Sequence, residues 1–244
     1  MISATSQSRS GPHPIFRWLF SSIGKKTAVA LTAIVLVLFV TGHLLGNFTI
    51  YLGPDWMNWY AEHLKSLGPI LWVIRLVMLG TVGVHILFTM LLWKENQAAR
   101  PKKYIASDPV GTTVFARTMR LTGLIVLAFL LFHLAHFTAQ VVVPSFRTME
   151  TMLDGREVHD VYRMVVVGFS NLPVSIIYIA GLTLLTMHLS HGIGSLFQTL
   201  GITNRRMRPL LTGVSHACAW LLYLGYISIP ISILVFGLGK GIVK

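Results

Sequence analysis

The chain has 244 residues, of which 54 % are hydrophobic and 11 % charged, and its mean hydropathy is +0.68. Soluble domains carry about 25 % charged residues, so this composition excludes an ordinary water-soluble fold and indicates an integral membrane protein. Cys218 is the single cysteine. One thiol excludes an internal disulfide and the four thiolates that usually hold an iron–sulfur cluster.

Five stretches between charged residues reach the length of about 20 apolar residues that crosses the hydrocarbon of a bilayer. The fourth belongs to an uncharged stretch, 164–204, which is too long for one crossing, and Pro173 marks its expected start. We therefore predict an all-α integral membrane protein in which residues 1–244 form one domain, a bundle of five transmembrane helices. The predicted spans are about 27–51, 70–93, 121–143, 173–200 and 210–236.

Basic residues predict the orientation, because cytoplasmic loops of membrane proteins are enriched in Lys and Arg. The segment before the first span, residues 94–120 and residues 205–208 together hold 13 of the 20 Lys and Arg. These segments lie on one side of a five-span bundle, so we predict a cytoplasmic N-terminus. The basic residues flank the spans and form no single stripe, which favours the lipid bilayer over nucleic acid as the partner of the net charge of +12.

Seven of the ten histidines lie in or near the predicted spans, where an ionisable side chain is costly and is functional by default. A single histidine of this kind is explained equally well as a polar contact between helices. A set that is spread over all five spans is not. The seven are His43, His85, His133, His136, His188, His191 and His216.

Depth below the predicted cytoplasmic edge, at about 1.5 Å per residue, sorts four of these histidines into two layers. His85 and His191 lie about 14–15 Å deep, whereas His133 and His43 lie about 20 and 26 Å deep. Each layer takes its two histidines from different helices. This is the arrangement that a haem with two axial imidazoles requires.

Spacing alone does not make the choice of ligands unique. His136 lies one turn beyond His133, and His188 lies one turn before His191. His216, about 12 Å deep, also fits the inner layer. A zinc site is disfavoured because it needs three or four converging ligands, usually with a carboxylate or thiolate among them, and the spans hold no carboxylate.

Glycines stand beside several of the histidines and would let a flat macrocycle pack against the helix backbone. Ordinary close packing of helices in a membrane favours small residues equally, so the glycines alone do not decide. They are Gly42, Gly46, Gly83, Gly192 and Gly194.

Several short segments resemble the cytochrome b subunit of succinate:quinone oxidoreductases, in its single-subunit form with five helices and two haems. The resemblance extends over nearly the whole chain, and all four haem-ligand positions of the family are histidine. The segments are Ser22–Lys26 (SIGKK), Thr41–Asn47 (TGHLLGN), Val84-His85, Thr122-Gly123 with His133 ten residues later, and His191-Gly192 with Ser195–Gln198 (SLFQ).

This resemblance implies two b haems, one held by His85 and His191 nearer the cytoplasm and the other by His43 and His133. Ligation by two histidines leaves no open iron position, which suits electron transfer. The segment around Arg163 (YRM) resembles the family's Phe-Arg-Met and implies that Arg163 contacts the propionates of the outer haem.

The resemblance also implies a membrane anchor and electron conduit of a succinate dehydrogenase or fumarate reductase in a bacterial cytoplasmic membrane. A flavoprotein subunit would oxidise succinate, an iron–sulfur subunit would pass the electrons on, and this chain would deliver them to menaquinone. The chain has no flavin fingerprint, so the succinate site belongs to another subunit. We expect docking at the basic residues 94–120 and allow for an oligomer of the whole complex.

The quinone is expected near the outer haem, in the connection between the first two spans. Residues 56–68 combine aromatic side chains with Glu62 and His63, and reduction of a quinone consumes two protons, which requires a titratable group within reach. An aromatic interfacial belt with solvated charges is the structural alternative. A competing quinone site at the cytoplasmic end would use Arg17, Trp18, Ser21 and Ser22.

A transporter or proton channel with a relay of intramembrane histidines is the rival interpretation. It is disfavoured because the spans lack carboxylates and show no inverted repeat. A structural anchor without a cofactor would leave the histidines unexplained.

Overall fold

The structure, a computed structural model, describes residues 13–99 and 114–242. Residues 100–113, which form most of the predicted docking segment, lie outside the described residues. The helices are α1 (Pro14–Leu19), α2 (Ser22–Asn47), α3 (Pro54–Ser66), α4 (Pro69–Ala98), α5 (Val114–His133), α6 (Val161–Ser170), α7 (Leu172–Thr199) and α8 (Arg208–Leu234). Strands β1 (Glu150–Leu153) and β2 (Arg156–His159) pair antiparallel.

Five helical segments in the described part of the chain are long and apolar enough to cross a membrane, which confirms the predicted all-α integral membrane fold. They contain α2, α4, α5, α7 and α8 in turn. Helix α7 packs against α2, α5 and α8, while α4 packs against α2. Helix α7 is therefore the central element of the bundle. The segments cover 22–52, 69–98, 118–138, 172–199 and 208–234.

The long uncharged stretch 164–204 is divided between two helices. Asn171 ends α6 and caps α7, because its side-chain oxygen accepts a hydrogen bond from the Val174 N–H at 3.2 Å. Pro173 occupies the first turn of α7, where its missing N–H costs nothing. Gly201, at φ 72°, follows the end of α7 in the left-handed conformation that suits glycine.

One end of the bundle carries a cap, which we define as residues 48–66 and 144–170. It contains α3, α6 and the β-hairpin. The sequence predicted no role for the hairpin. Asp154 (φ 48°) and Gly155 (φ 73°) form the two-residue turn of that hairpin, and left-handed backbone at both positions matches the twist of the strands. The two parts of the cap follow the first and the third of the five spans. The cap therefore lies at the end of the bundle opposite to α1.

The main buried cluster of apolar side chains joins the cap to the ends of α7 and α8. Burial of such residues is the principal source of stability in a protein core. The cap is therefore a folded layer and not a set of loops. The cluster contains Ile50, Met57, Phe146, Tyr162, Met164, Val165, Val166, Phe169, Tyr178, Ile229 and Ile233.

Asn58 ties the two halves of the cap together. Its side chain is 2 % exposed, its Nδ2 donates to Asp160 Oδ1 at 3.1 Å, and its Oδ1 accepts from the Tyr162 N–H at 3.0 Å. Asp160 also caps α6, because the same oxygen accepts from the Arg163 N–H at 2.9 Å. One buried amide thus fixes the position of α3 relative to the start of α6.

The other end, which we call the basic end, is where α2 and α8 begin and α4 and α7 finish. Lys25 is 5 % exposed there and forms an ion pair with Glu95 near the end of α4. The Arg120 guanidinium lies 4.6 Å from the centre of the Trp93 ring, within the range of a cation–π contact. An ion pair and a cation–π contact thus join helices at this end.

Candidate functional site

His43 on α2 and His133 at the end of α5 face each other. Their ring centres are 5.8 Å apart and their planes meet at 78°. Metal–imidazole bonds of about 2.0–2.1 Å put two rings on opposite sides of one metal ion about 6 Å apart, centre to centre. The His43 side chain is exposed within a membrane-spanning helix. The pair has the spacing that two axial ligands of one haem need.

Tyr178 on α7 brings a hydroxyl group between His133 and His136. The phenol oxygen lies 3.3 Å from His133 Nδ1 and 3.1 Å from His136 Nδ1. A single π turn, Leu134–Thr138, follows His133, and such turns occur frequently at functional sites. His136 is fully buried, and its Nε2 has no hydrogen-bond partner in the part of the chain that the structure describes. His133 therefore has a polar partner at Nδ1, which leaves Nε2 for a ligand.

Thr32 on α2 contacts His85 on α4. The Thr32 hydroxyl oxygen is 3.1 Å from His85 Nδ1. The carbonyl oxygens of Ala28 and Val29, one turn back on α2, lie 2.8 and 3.0 Å away and compete for the hydroxyl proton. When the proton is donated to one of these carbonyls, the hydroxyl oxygen accepts from His85 Nδ1–H and the lone pair of the ring lies on Nε2. This is the form of histidine that binds a metal.

His188 and His191 lie one turn apart on α7 and have different surroundings. Among the described residues, the Nδ1 of His188 is buried without a hydrogen-bond partner. A Cβ atom on Gly123 would lie 3.2 Å from the His188 ring, so glycine permits the close approach of α5. His188 thus packs against α5, one turn before the predicted ligand His191.

The glycines near the histidines divide into two groups. A Cβ atom on Gly46 would lie 2.4 Å from the Tyr60 hydroxyl oxygen, and one on Gly194 would lie 3.5 Å from Ser215 Oγ. These two glycines serve packing of the cap and of α8. Among the described residues, no atom lies within 4 Å of a Cβ atom built on Gly42 or Gly83, so the helix surface beside His43 and His85 can accept a flat group.

Glu62 borders a cavity of about 190 Å³ in the cap. Its Oε2 lies 3.6 Å from Lys65 Nζ. The polar lining also includes Gln140, Arg147 and His159. His63 is exposed and stacks on Trp59, with ring centres 5.2 Å apart and planes 10° from parallel. Of the two side chains predicted to serve the quinone, Glu62 therefore lines the cavity, whereas His63 stacks on Trp59 instead.

Within residues 13–99 and 114–242, the His, Cys, Asp and Glu side chains form no group of three or more that would hold a bare metal ion. His43 and His133 meet as a pair across two helices. Two imidazoles are sufficient for a haem site, since the macrocycle supplies the remaining iron ligands.

The family model of the succinate dehydrogenase/fumarate reductase transmembrane subunit matches residues 93–223, more than half of the chain. The chain belongs to this family. No curated protein and no solved structure matches it significantly. The matched range contains His133, His188 and His191, whereas His43 and His85 precede it. As a transmembrane subunit of such a complex, the chain is a multi-pass membrane anchor, and the chemistry of succinate and fumarate belongs to partner subunits.

Other residues predicted for this transmembrane subunit have clear places in the fold. Arg163 is exposed at the start of α6, where its N–H contributes to the cap of that helix. At the competing quinone site, the Ser21 hydroxyl donates to the Trp18 carbonyl oxygen at 2.6 Å and accepts from the Gly24 N–H at 3.1 Å. Ser21 is thus engaged as the N-cap of α2, while Arg17 and Trp18 are exposed.

Sequence reasoning missed Tyr178 and Thr32, the two hydroxyl groups that contact histidine Nδ1 atoms. Their signal would have been a hydroxyl at the depth of a histidine on a neighbouring span. Apolar spans contain several Thr and Tyr residues, and depth does not reveal which face of the helix a side chain occupies. Only the packed bundle, which shows how α2 and α7 are rotated about their axes, identifies these two contacts.

Proposed function

We propose that this transmembrane subunit is a dihaem cytochrome b, which receives electrons from an iron–sulfur subunit and delivers them to menaquinone. The observation that carries the proposal is the facing pair His43 and His133, whose ring centres are 5.8 Å apart. Two b haems would supply reversible one-electron chemistry when bound. The imidazoles of His43 and His133 would hold the outer haem.

The exposure of His43 supports the same proposal. An imidazole facing hydrocarbon is expensive, so intramembrane histidines turn towards protein, water or a ligand. His43 belongs to a membrane-spanning helix and is exposed in the bare chain, with Phe39 stacked on one face at 5.7 Å. A bound macrocycle between α2 and α5 would cover the ring and remove that cost.

The inner haem would be held by His85 together with a histidine of α7. When the Thr32 hydroxyl accepts from His85 Nδ1–H, His85 Nε2 is left for iron. The resemblance in sequence favours His191 as its partner, and His188, one turn away with a buried Nδ1 that has no hydrogen-bond partner among the described residues, is the alternative.

The basic end would face the cytoplasm and receive the iron–sulfur subunit, which in turn carries electrons from a flavoprotein subunit. Its excess of Lys and Arg supports this orientation by the positive-inside rule. The inner haem then lies on the side of the electron donor and the outer haem on the side of the cap, in a bacterial cytoplasmic membrane. We also propose that the whole chain is one membrane domain.

Menaquinone would be reduced at the cap, with Glu62 exchanging protons. The cavity that Glu62 lines supports this site, since a quinone needs both room and a titratable group. His63, stacked on Trp59, would contribute to the aromatic belt of the membrane interface. The alternative site near Arg17 and Trp18 has exposed side chains, but its Ser21 hydroxyl is engaged in capping α2.

A reduced-minus-oxidised optical spectrum of the purified complex tests the haem proposal. We expect a b-type signal equivalent to two haems per copy of this chain. An intact complex without haem would contradict the proposal, and it would favour the rival in which the histidines form a transport relay.

The quinone site is tested by Glu62→Gln, with His63→Ala as the matched control on the next residue. Loss of the carboxyl group should slow reduction of a menaquinone analogue at least tenfold, while both haem signals and succinate oxidation with an artificial acceptor stay normal. His63→Ala should leave quinone reduction near the wild-type rate. Normal quinone reduction by Glu62→Gln would move the site to the basic end.

A further inference from the structure

His133 is linked to the core of the cap, because its ring contacts Tyr178 and Tyr178 belongs to that core. Tyr178 is 4 % exposed and His136 is not exposed at all. A phenol has one proton and can donate only one hydrogen bond. With ring nitrogens of His133 and His136 at 3.3 and 3.1 Å, the phenol uses its proton and its lone pair when it accepts from one of them and donates to the other.

Only one order of these two hydrogen bonds is compatible with an iron ligand. If His133 binds iron through Nε2, its proton lies on Nδ1 and is donated to the Tyr178 oxygen. The Tyr178 O–H then donates to His136 Nδ1, and the remaining proton of His136 lies on Nε2. That nitrogen is the buried one without a partner, enclosed by the rings of Phe132, Phe137 and Phe146.

We propose that Tyr178 and His136 are positioning residues that fix the tautomer of His133 and lower the reduction potential of the outer haem. A partner that accepts from the second nitrogen of a ligating histidine raises the basicity of the ligand. A more basic ligand stabilises the oxidised iron. The phenol itself accepts more strongly because it donates to His136. This inference rests on the proposed dihaem function and adds a role for two residues that do not contact iron.

Tyr178→Phe tests the inference, because it removes the hydroxyl and keeps the ring. Tyr226→Phe is the matched control: its ring lies 6.3 Å from His43, but its hydroxyl donates to the Val40 carbonyl oxygen at 2.6 Å. The measurement is a redox titration of the complex with partner subunits, followed by optical and electron paramagnetic resonance spectra. Wild-type protein with two haems establishes the proposed function before the variants are compared.

We expect Tyr178→Phe to raise the potential of the outer haem by an amount that approaches a tenfold change in its reduction equilibrium, which is 59 mV for one electron. The inner haem should be unchanged, and Tyr226→Phe should shift neither haem. A shift in Tyr178→Phe no larger than that of Tyr226→Phe would overturn the inference and leave the dihaem function intact.

A second pair of variants keeps the test decisive if Tyr178→Phe does not assemble. His136→Phe removes the acceptor of the Tyr178 proton and should raise the outer potential by a smaller amount in the same direction. His136→Gln restores an acceptor and should return the potential towards the wild-type value. An unchanged potential in His136→Phe would overturn the inference, and so would loss of the outer haem from His136→Phe but not from His133→Ala.

Discussion

The two ends of the bundle are built differently. At the cap, apolar residues of α3, α6, α7 and α8 form a continuous core, and the buried Asn58 joins its two layers. Towards the basic end, contacts are ionic or aromatic, as in Lys25 with Glu95 and Arg120 with Trp93. The most apolar window of α4 contains no buried residue, whereas 28 % of the corresponding windows of α7 and α8 is buried.

The difference is that the cap has an apolar core of its own, whereas α4 has few buried side chains. Phe88 is the buried residue of α4, and the helix packs chiefly against α2, so the bilayer, a bound group or another subunit would add to its stability. His85 is on this helix, and a haem held by His85 and a histidine of α7 would link the two helices. The inner site would therefore be a structural element of the bundle as well as an electron carrier.

The largest effect expected from this comparison is the loss of a haem together with its helix contacts. His85→Ala should remove the inner haem and also lower the yield of folded complex, because α4 loses its link to α7. His133→Ala should remove the outer haem alone, since the cap holds α5 and α7 in place. Optical spectra and the yield of monodisperse protein in detergent measure both. Equal yields for the two variants would contradict the comparison.

The second prediction separates the two histidines of α7. From the resemblance in sequence, we expect His191→Ala to remove the inner haem and His188→Ala to retain it. A haem titration by pyridine spectrum decides between them, with His216→Ala as a control histidine on α8. The opposite result, with loss in His188→Ala alone, would make His188 the partner of His85.

The third prediction concerns the stability of the cap. Asn58→Ala would leave the buried Tyr162 N–H without an acceptor, and an unsatisfied buried group of this kind costs about 1–3 kcal/mol. Thermal unfolding in detergent should show a lower midpoint, with unchanged haem spectra in the surviving fraction. Asn58→Asp keeps the acceptor for Tyr162 but faces the Asp160 carboxylate, so it should not restore full stability. An unchanged midpoint in Asn58→Ala would contradict the role of Asn58 as a tie.

The smallest effect compares two glycines one turn apart on α2. Gly46→Ala would place a methyl group against the end of the Tyr60 side chain, which can move, so the cost should be near the lower end of the range of about 1–3 kcal/mol for overpacking. Gly42→Ala meets nothing within 4 Å and should not reduce stability. If Gly42→Ala instead weakens haem binding, the macrocycle lies against that face of α2. Thermal unfolding and haem content give both readouts.

The sequence was sufficient for the features that depend on hydrophobicity and length. The five spans are visible because charged residues such as Lys26, Arg120 and Arg208 bound long apolar runs, and Pro173 identified the break before α7. The cap was not predicted. Its hairpin contains charged residues, and its helix α6 was part of an apolar run that looked continuous with the fourth span.

The candidate site was predictable in part for the same reason. Depth along a helix can be counted from the sequence, so the level of His43 and His133 followed from residue numbers. The face of the helix that a side chain occupies is harder to predict than its depth. His188 and His191, for example, are only three residues apart and lie on similar faces. The partners Thr32 and Tyr178 depend on rotation alone, and only the packed bundle identifies them.

The π turn after His133 has a consequence for the spacing of residues in relatives and in engineered variants. It is one residue longer than the α-helical turn that it replaces, and it is closed by the Ala139 N–H donating to the Leu134 carbonyl oxygen at 2.7 Å. Deletion of Thr138, which follows His136, would let the α-helix continue and would rotate every later residue by about 100° relative to His133. Gln140, whose Nε2 lies 3.2 Å from His159 Nε2 in the hairpin of the cap, would then face another direction. The extra residue of the π turn thus sets the angle at which the chain leaves α5 for the cap.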